Sequence, residues 1–196
     1  MVGSTGCETE GAVRLYNVDG TLVFTLVHDH LASPYNDYVH AVAVTPDGQH
    51  IISGAYDKLV KVWSVATKSL VSTCIGHTHW VMAVTAMPDG QRILSSGLEA
   101  TVRVWRLDGT LENTFDLHAG YMVFDFVALS DNQHALSASG DKTVKLFNVN
   151  DGAVLRTFKH HPRGVLRLAL LPDGLRFVSG SYDKTAHIAY HGLAPQ

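Results

Sequence analysis

Residues 38–65 read YVHAVAVTPDGQHIISGAYDKLVKVWSV, and this stretch decides the architecture. Val39 to Val44 is an apolar, β-branched run that stops at Pro46-Asp47-Gly48. There a tight turn wants a residue with positive φ, which glycine adopts without steric cost. Gln49 to Ser53 reads as the returning strand, Asp57-Lys58 as the next turn, and Leu59 to Val65 and Leu70 to Cys74 as two further strands. No helical periodicity interrupts them.

The pattern recurs along the chain. Pro46-Asp47-Gly48 returns as Pro88-Asp89-Gly90 and Pro172-Asp173-Gly174, with Ser130-Asp131-Asn132 in the remaining slot, so the starting positions 46, 88, 130 and 172 lie 42 residues apart. Ser53, Ser95, Ser137 and Ser179 keep the same step, as do the acids Asp57, Glu99, Asp141 and Asp183. Four short strands per period make an antiparallel meander. One such sheet has two apolar faces and is stable only when stacked on its neighbours.

Composition sets the outer bounds. The 196 residues are 46% hydrophobic, enough for a core, and the net charge of −3 does not suggest nucleic acid as a partner. No apolar run reaches the ~18 residues that span a bilayer, and Met1 to Gly11 holds no basic-then-apolar leader pattern. Two cysteines, Cys7 and Cys74, fit a reducing compartment. The expected setting is intracellular, cytoplasmic or nuclear, with no membrane partner.

The repeat resembles the WD-repeat family of β-propellers. The residues that carry the likeness are Gly76-His77 before a first strand, the Pro-Asp-Gly turns, Ser95 at the end of a second strand and Val102-Arg103-Val104-Trp105 in a third. The resemblance implies an all-β fold of four-stranded antiparallel blades over residues 8–191. The units are a partial one at 8–26 and others at about 27–74, 75–115, 116–158 and 159–191, with 1–7 and 192–196 as flexible ends. Ala12 to Val18 resembles a third strand and Thr21 to Leu26 a fourth, so the chain begins inside a unit; it stops soon after a third strand near Thr185 to Tyr190. Propellers of this family most often have seven blades, and units of roughly 51° each give a little over half a circle. An open arc is expected, rather than a ring strained shut with four blades. Its bare apolar ends imply a partner chain, self-association or the rest of a larger assembly.

Recurring Ser, His and Asp invite comparison with a hydrolase triad, but a nucleophile is not needed once per unit and no Gly-x-Ser-x-Gly elbow is present. The family resemblance implies instead a buried tetrad of loop His, second-strand Ser, turn Asp and third-strand Trp. No unit carries it whole. His77, Ser95 and Trp105 are joined by Glu99; His118, Ser137 and Asp141 face Phe147; His161, Ser179 and Asp183 face Ala189. Ser53, Asp57 and Trp63 leave His28 or His30 to supply the imidazole. Phe147 and Ala189 cannot donate, a loss of roughly 1 kcal/mol per missing bond. The histidine pairs 28/30, 77/79 and 160/161 have no cysteine pair beside them, so neither a metal nor a cofactor is expected.

Function is therefore sought on loops held by a rigid scaffold. In the family, the end of the sheets carrying the loops between units and the second-to-third-strand turns is the usual docking surface. There Tyr38, Trp80, Tyr56, Leu98 and Tyr182 are candidate contact residues, with Arg163 at the rim. Plugging of the first strand against the neighbouring blade is the plainer role for Tyr38 and Trp80. The stretch Val27 to Asp37, about five residues longer than its counterparts, adds His28, His30, Pro34 and Asn36 to that end. The function expected is a non-enzymatic scaffold docking a protein or peptide. The first alternative is a ubiquitin-ligase substrate receptor, although the acidic-then-basic motif common in such receptors is missing after Trp63 and Trp105. The second is an enzyme using the channel, where only Asp125 and Arg167 break the apolar pattern of the first strands.

Overall fold

The computed structural model describes residues 2–4, 11–28 and 38–193. These described residues form five antiparallel sheets in chain order. The first holds β1 (Val2–Ser4), β2 (Ala12–Tyr16) and β3 (Leu22–Val27); the second β4 (Val39–Val44), β5 (His50–Ala55), β6 (Val60–Ser64) and β7 (Ser69–Cys74). The third holds β8 (Val81–Ala86), β9 (Arg92–Gly97), β10 (Val102–Arg106) and β11 (Leu111–Phe115). The fourth holds β12 (Val123–Ala128), β13 (His134–Ser139), β14 (Val144–Asn148) and β15 (Val154–Phe158); the fifth β16 (Val165–Leu170), β17 (Arg176–Ser181) and β18 (Ala186–Tyr190). Every strand pairs with its neighbour in sequence, and β4, β8, β12 and β16 lie side by side as the innermost strands.

The repeated turns explain this regularity. In the hairpins after β4, β8 and β16, Gly48, Gly90 and Gly174 take φ of 70°, 67° and 66°, and Asn132 takes 58° in the fourth slot. Asparagine is one of the few other residues that tolerates the left-handed region. The preceding aspartate locks each turn: Asp47, Asp89, Asp131 and Asp173 accept the amide two residues on at 2.8–2.9 Å.

Stacking then buries what the meanders cannot. Val13 and Leu26 of the first sheet meet Ile51 and Trp63 of the second. Ile52 and Val62 meet Ile93 and Trp105 of the third, whose Leu94 and Val104 meet Ala135 and Phe147 of the fourth. Leu136 and Leu146 close the series against Phe177 and Ala189 of the fifth. Each fully buried aliphatic side chain contributes about 1.5–3 kcal/mol by this shielding. The fifth sheet has no such neighbour among the described residues. Val62, Val104 and Leu146 are buried, whereas Ile188, the same position one unit on, is 63% exposed. Among the described residues β3 pairs only with β2, no ladder joins the first and fifth sheets, and the arc is open.

One element departs from the sequence reading. Val2–Ser4, assigned above to a flexible end, is a strand whose partners are Leu15, Arg14 and Val13. Residues 29–37, which hold His30, Pro34 and Asn36 of the longer loop, and 194–196 lie outside the described residues.

Candidate docking face

The second, fourth and fifth sheets each carry a second-to-third-strand turn whose geometry is fixed by the tetrad acid. In the second sheet Asp57 accepts the Leu59 amide at 2.9 Å, with Lys58 between them at φ 72°. Asp141 and Asp183 do the same for Thr143 and Thr185 at 2.9 and 2.8 Å, around Lys142 and Lys184. The acid in turn accepts from the loop histidine: His28 Nδ1 to Asp57 at 2.8 Å, His118 to Asp141 at 2.7 Å and His161 to Asp183 at 2.7 Å. This assigns His28 as the imidazole of its unit. In the last two pairs Nε2 accepts from Ser137 and Ser179 at 2.8 Å, so both ring nitrogens are spent. Among the described residues no three metal-ligating side chains converge on a common point.

The third sheet completes a chain of four. Trp105 Nε1 donates to Ser95 at 2.7 Å, Ser95 to His77 Nε2 at 2.7 Å, and His77 Nδ1 to Glu99. The extra methylene of Glu99 is accommodated by Gly97: a Cβ there would overlap the Glu99 carboxylate. The corresponding positions in the other sheets are Ala55, Ser139 and Ser181. Burial by itself would raise the Glu99 carboxyl; the His77 N–H and charge and the Thr101 hydroxyl outweigh it and hold it at about 2. In the second sheet the chain is broken. Trp63 reaches Ser53 at 2.8 Å, but His28 Nε2 is buried with no partner. Phe147 and Ala189 leave Ser137 and Ser179 without the indole donor.

On these turns stand the candidate contact residues. Four backbone bonds pair the residue before the acid with the residue before the first strand: Tyr56 with Tyr38 at 3.0 Å, Leu98 with Trp80 at 2.8 Å, Gly140 with Met122 at 3.0 Å and Tyr182 with Gly164 at 3.0 Å. Tyr56 and Trp80 stack across the second and third sheets, ring centroids 4.1 Å apart and planes 4° from parallel, and Tyr38 meets Tyr56 edge-on at 5.8 Å. Tyr38 is 56% and Trp80 40% exposed, while Tyr56 is half-buried beneath them. Leu98 is half-buried next to Trp80. Tyr182, 58% exposed, belongs to a second cluster with the edge of Phe124 at 6.5 Å, and exposed Arg163 accepts the Ser181 hydroxyl on its carbonyl at 3.3 Å.

Two residues of this surface escaped the sequence reading. His40 stacks on Tyr56 at 5.8 Å and bonds the Met82 carbonyl at 3.0 Å, and Phe124 supports Tyr182. Alternation was the available signal, since both follow by one position a buried valine, Val39 and Val123. Lower down the inner strands, Asp125 and Arg167 do not face each other as a bare acid and base. Asp125 accepts the Leu168 and Phe126 amides at 2.8 and 2.9 Å, and Arg167 donates to the Phe124 and Leu166 carbonyls at 3.2 and 2.9 Å. The pair clamps backbone to backbone between adjacent sheets. Burial raises the Asp125 carboxyl above its usual range.

The family model described as "WD domain, G-beta repeat" matches residues 20–64, 68–106, 109–148 and 152–188. Among curated proteins, the UBP9-binding protein bun62 of Schizosaccharomyces pombe is 34% identical over 73 residues, 35% of this chain and 13% of that protein. Ribosome biogenesis protein BOP1 homologs of Drosophila grimshawi and Drosophila erecta are 38% and 36% identical over 50 residues, 26% of this chain and 6% of those proteins. The chain thus matches a small fraction of each relative's length.

Proposed function

Because the chain belongs to the WD-repeat family, whose members are typically non-enzymatic scaffolds for protein interaction, we propose that it docks a protein or peptide on the turn-bearing end of its sheets. The observation that carries this reading is the Tyr38–Tyr56–Trp80 cluster, three rings held at a solvent-facing edge by paired backbone bonds. Rigid, partly exposed aromatics lose little conformational entropy on binding and dominate interface energetics. The occupied hydrogen-bonding atoms of the His–Ser–acid sets support a structural role for the one constellation that resembles catalytic machinery.

A binding role agrees with the name of the bun62 relative, and an assembly role with that of the BOP1 homologs. Those matches span about one repeat or two, so they support the mode of action rather than a particular partner. A cytoplasmic or nuclear setting fits this reading, as does a protein rather than nucleic-acid partner for a chain of net charge −3. The test is cross-linking and affinity recovery of partners with Trp80→Ala and Tyr182→Ala, each checked for folding by circular dichroism. Loss of an aromatic anchor costs about 2 kcal/mol of binding or more, so recovery falls sharply. Unchanged recovery with an intact fold removes this face from consideration.

A further inference from the structure

Beside the fourth sheet lies a groove of about 560 Å³ whose lining residues are all polar or charged types, Lys142, Lys145, Lys159 and Thr157 among them. Lys142 sits on the turn between β13 and β14, Lys145 on β14, and Thr157 and Lys159 at the end of β15. Three lysines therefore line one opening although the chain as a whole is acidic. The only carboxylate lining it, Asp141, is already committed to His118 at 2.7 Å and to the Thr143 amide and hydroxyl at 2.9 and 2.7 Å. Lys145 donates to the Leu117 carbonyl at 2.7 Å, with the Asp141 carboxylate 3.9 Å away. Lys142 and Lys159 are exposed and make no ion pair among the described residues.

The other sheets lack this convergence. At the position of Lys159, one residue past the partner of Val144, the second and third sheets carry Ile75 and Asp116. At the position of Lys142 the third sheet carries Ala100, and at that of Lys145 the fifth carries His187. Lys142 and Lys159 therefore meet only in the fourth sheet. The one ring that lines the groove, the His161 imidazole, is buried and held by Asp183 and Ser179, so the groove offers no stacking platform for bases. Point-charge donors without an arginine fork suit several anionic oxygens presented in sequence along an extended chain.

We propose that this groove binds an acidic segment, a run of Asp or Glu, of a protein partner. The inference rests on the docking reading above, because the groove opens at the same end of the sheets as the aromatic cluster. It names the chemistry of that partner. Together the aromatic stack and the ammonium cluster would engage a ligand that is apolar at one point and anionic at another.

The test is fluorescence anisotropy with a labelled hexaglutamate peptide titrated with the purified chain. Binding is expected to be saturable and to weaken as salt rises. The double variant Lys142→Glu/Lys159→Glu lowers affinity by about tenfold or more, the scale of two partly exposed charge contacts. Lys58→Glu/Lys184→Glu changes net charge equally and occupies the same left-handed turn position as Lys142, with φ of 72° and 71° against 74°. That control stays within about twofold of the unaltered chain, since its charges lie outside the groove. An equal loss in both variants, or no saturable binding, overturns the proposal. Displacement of the peptide by an equal concentration of inorganic phosphate would reassign the groove to a phosphoryl group and also overturn it. Trp80→Ala leaves hexaglutamate binding unchanged while abolishing partner recovery, so failure of the groove and failure of the aromatic face read out separately.

Discussion

Glu99 and Gly97 form a compensating pair, and a double-mutant cycle in the third sheet tests it. Gly97→Ser alone places a side chain where the Glu99 carboxylate lies, in a site where that carboxylate is only 11% exposed. Displacing it breaks the bond from His77, a charge-assisted contact worth about 1.5–3 kcal/mol. Glu99→Asp alone removes one buried methylene, a cost of about 1 kcal/mol. It also lets the carboxylate accept the amide two residues on, as Asp141 and Asp183 do, a gain of about 1 kcal/mol that brings the net near zero. In the double variant the serine enters the vacated space. There it copies Ser139, which donates to the Met122 carbonyl at 2.8 Å and accepts the Asp141 amide at 3.1 Å, and Ser181, which does the same with Gly164 and Asp183 at 2.9 and 3.1 Å. Two added bonds make it more stable than the unaltered chain by about 1 kcal/mol or more. The coupling energy is then about 3 kcal/mol, far above the ~0.5 kcal/mol within which independent sites add. Urea unfolding followed by tryptophan fluorescence measures all four corners. A tolerated Gly97→Ser, or effects that simply add, would refute the reasoning.

Two further outcomes follow from burial and charge. Leu146→Ala should cost about 2–5 kcal/mol in urea unfolding, because Leu146 is 2% exposed beneath the fifth sheet, while Ile188→Ala at the bare end should stay within about 0.5 kcal/mol; equal costs would mean that a further sheet covers Ile188 in solution. Stability should also fall on acidification in two steps. Burial, only partly opposed by Asp141, lowers the His118 imidazole below its usual 6.5, so the unfolded chain takes up that proton first and stability declines as pH drops through 6.5. Glu99, held at about 2 against a usual 4.5, extends the decline from pH 4.5 downward. Urea midpoints measured from pH 8 to pH 3 check this, and a midpoint that is flat or rises toward acid would contradict both assignments.

The fold was legible because its punctuation is chemical and periodic. Pro-Asp-Gly requires a left-handed third residue, and finding it every 42 residues fixes both the turn and the stride. The fourth slot was readable for the same reason, since Asn132 meets the conformational demand that glycine meets elsewhere. Val2–Ser4 was not, because three residues cannot display an alternation. The site was legible in part. Register places the candidate residues Tyr38, Tyr56 and Trp80 at one end of the sheets, but their stacking depends on how far one sheet is rotated against the next, which no single unit encodes. Gly97 looked like any strand glycine until the carboxylate two residues on was seen to occupy its side-chain space. The lysines of the groove, at 142, 145 and 159, are brought together only by the pairing of β14 with β15.

The tetrads also grade the arc. In the second and third sheets an indole reaches the strand serine, in the fourth a phenylalanine fills that volume without donating, and in the fifth an alanine does neither. The fifth sheet in addition has three strands and one unshielded face among the described residues. In a stack where each unit is stabilised chiefly by its immediate neighbours, opening begins at the unit with the fewest ties and moves inward. The aromatic stack stands on the two sheets with indole donors, away from the fifth. The lysine groove shares a wall with His161 at the start of the fifth unit, so it is exposed to such openings. A ligand that binds the closed form of the groove better than the open one stabilises the weak end of the arc by mass action. Ordering of the fifth sheet and occupancy of the groove are thus thermodynamically linked, each favouring the other.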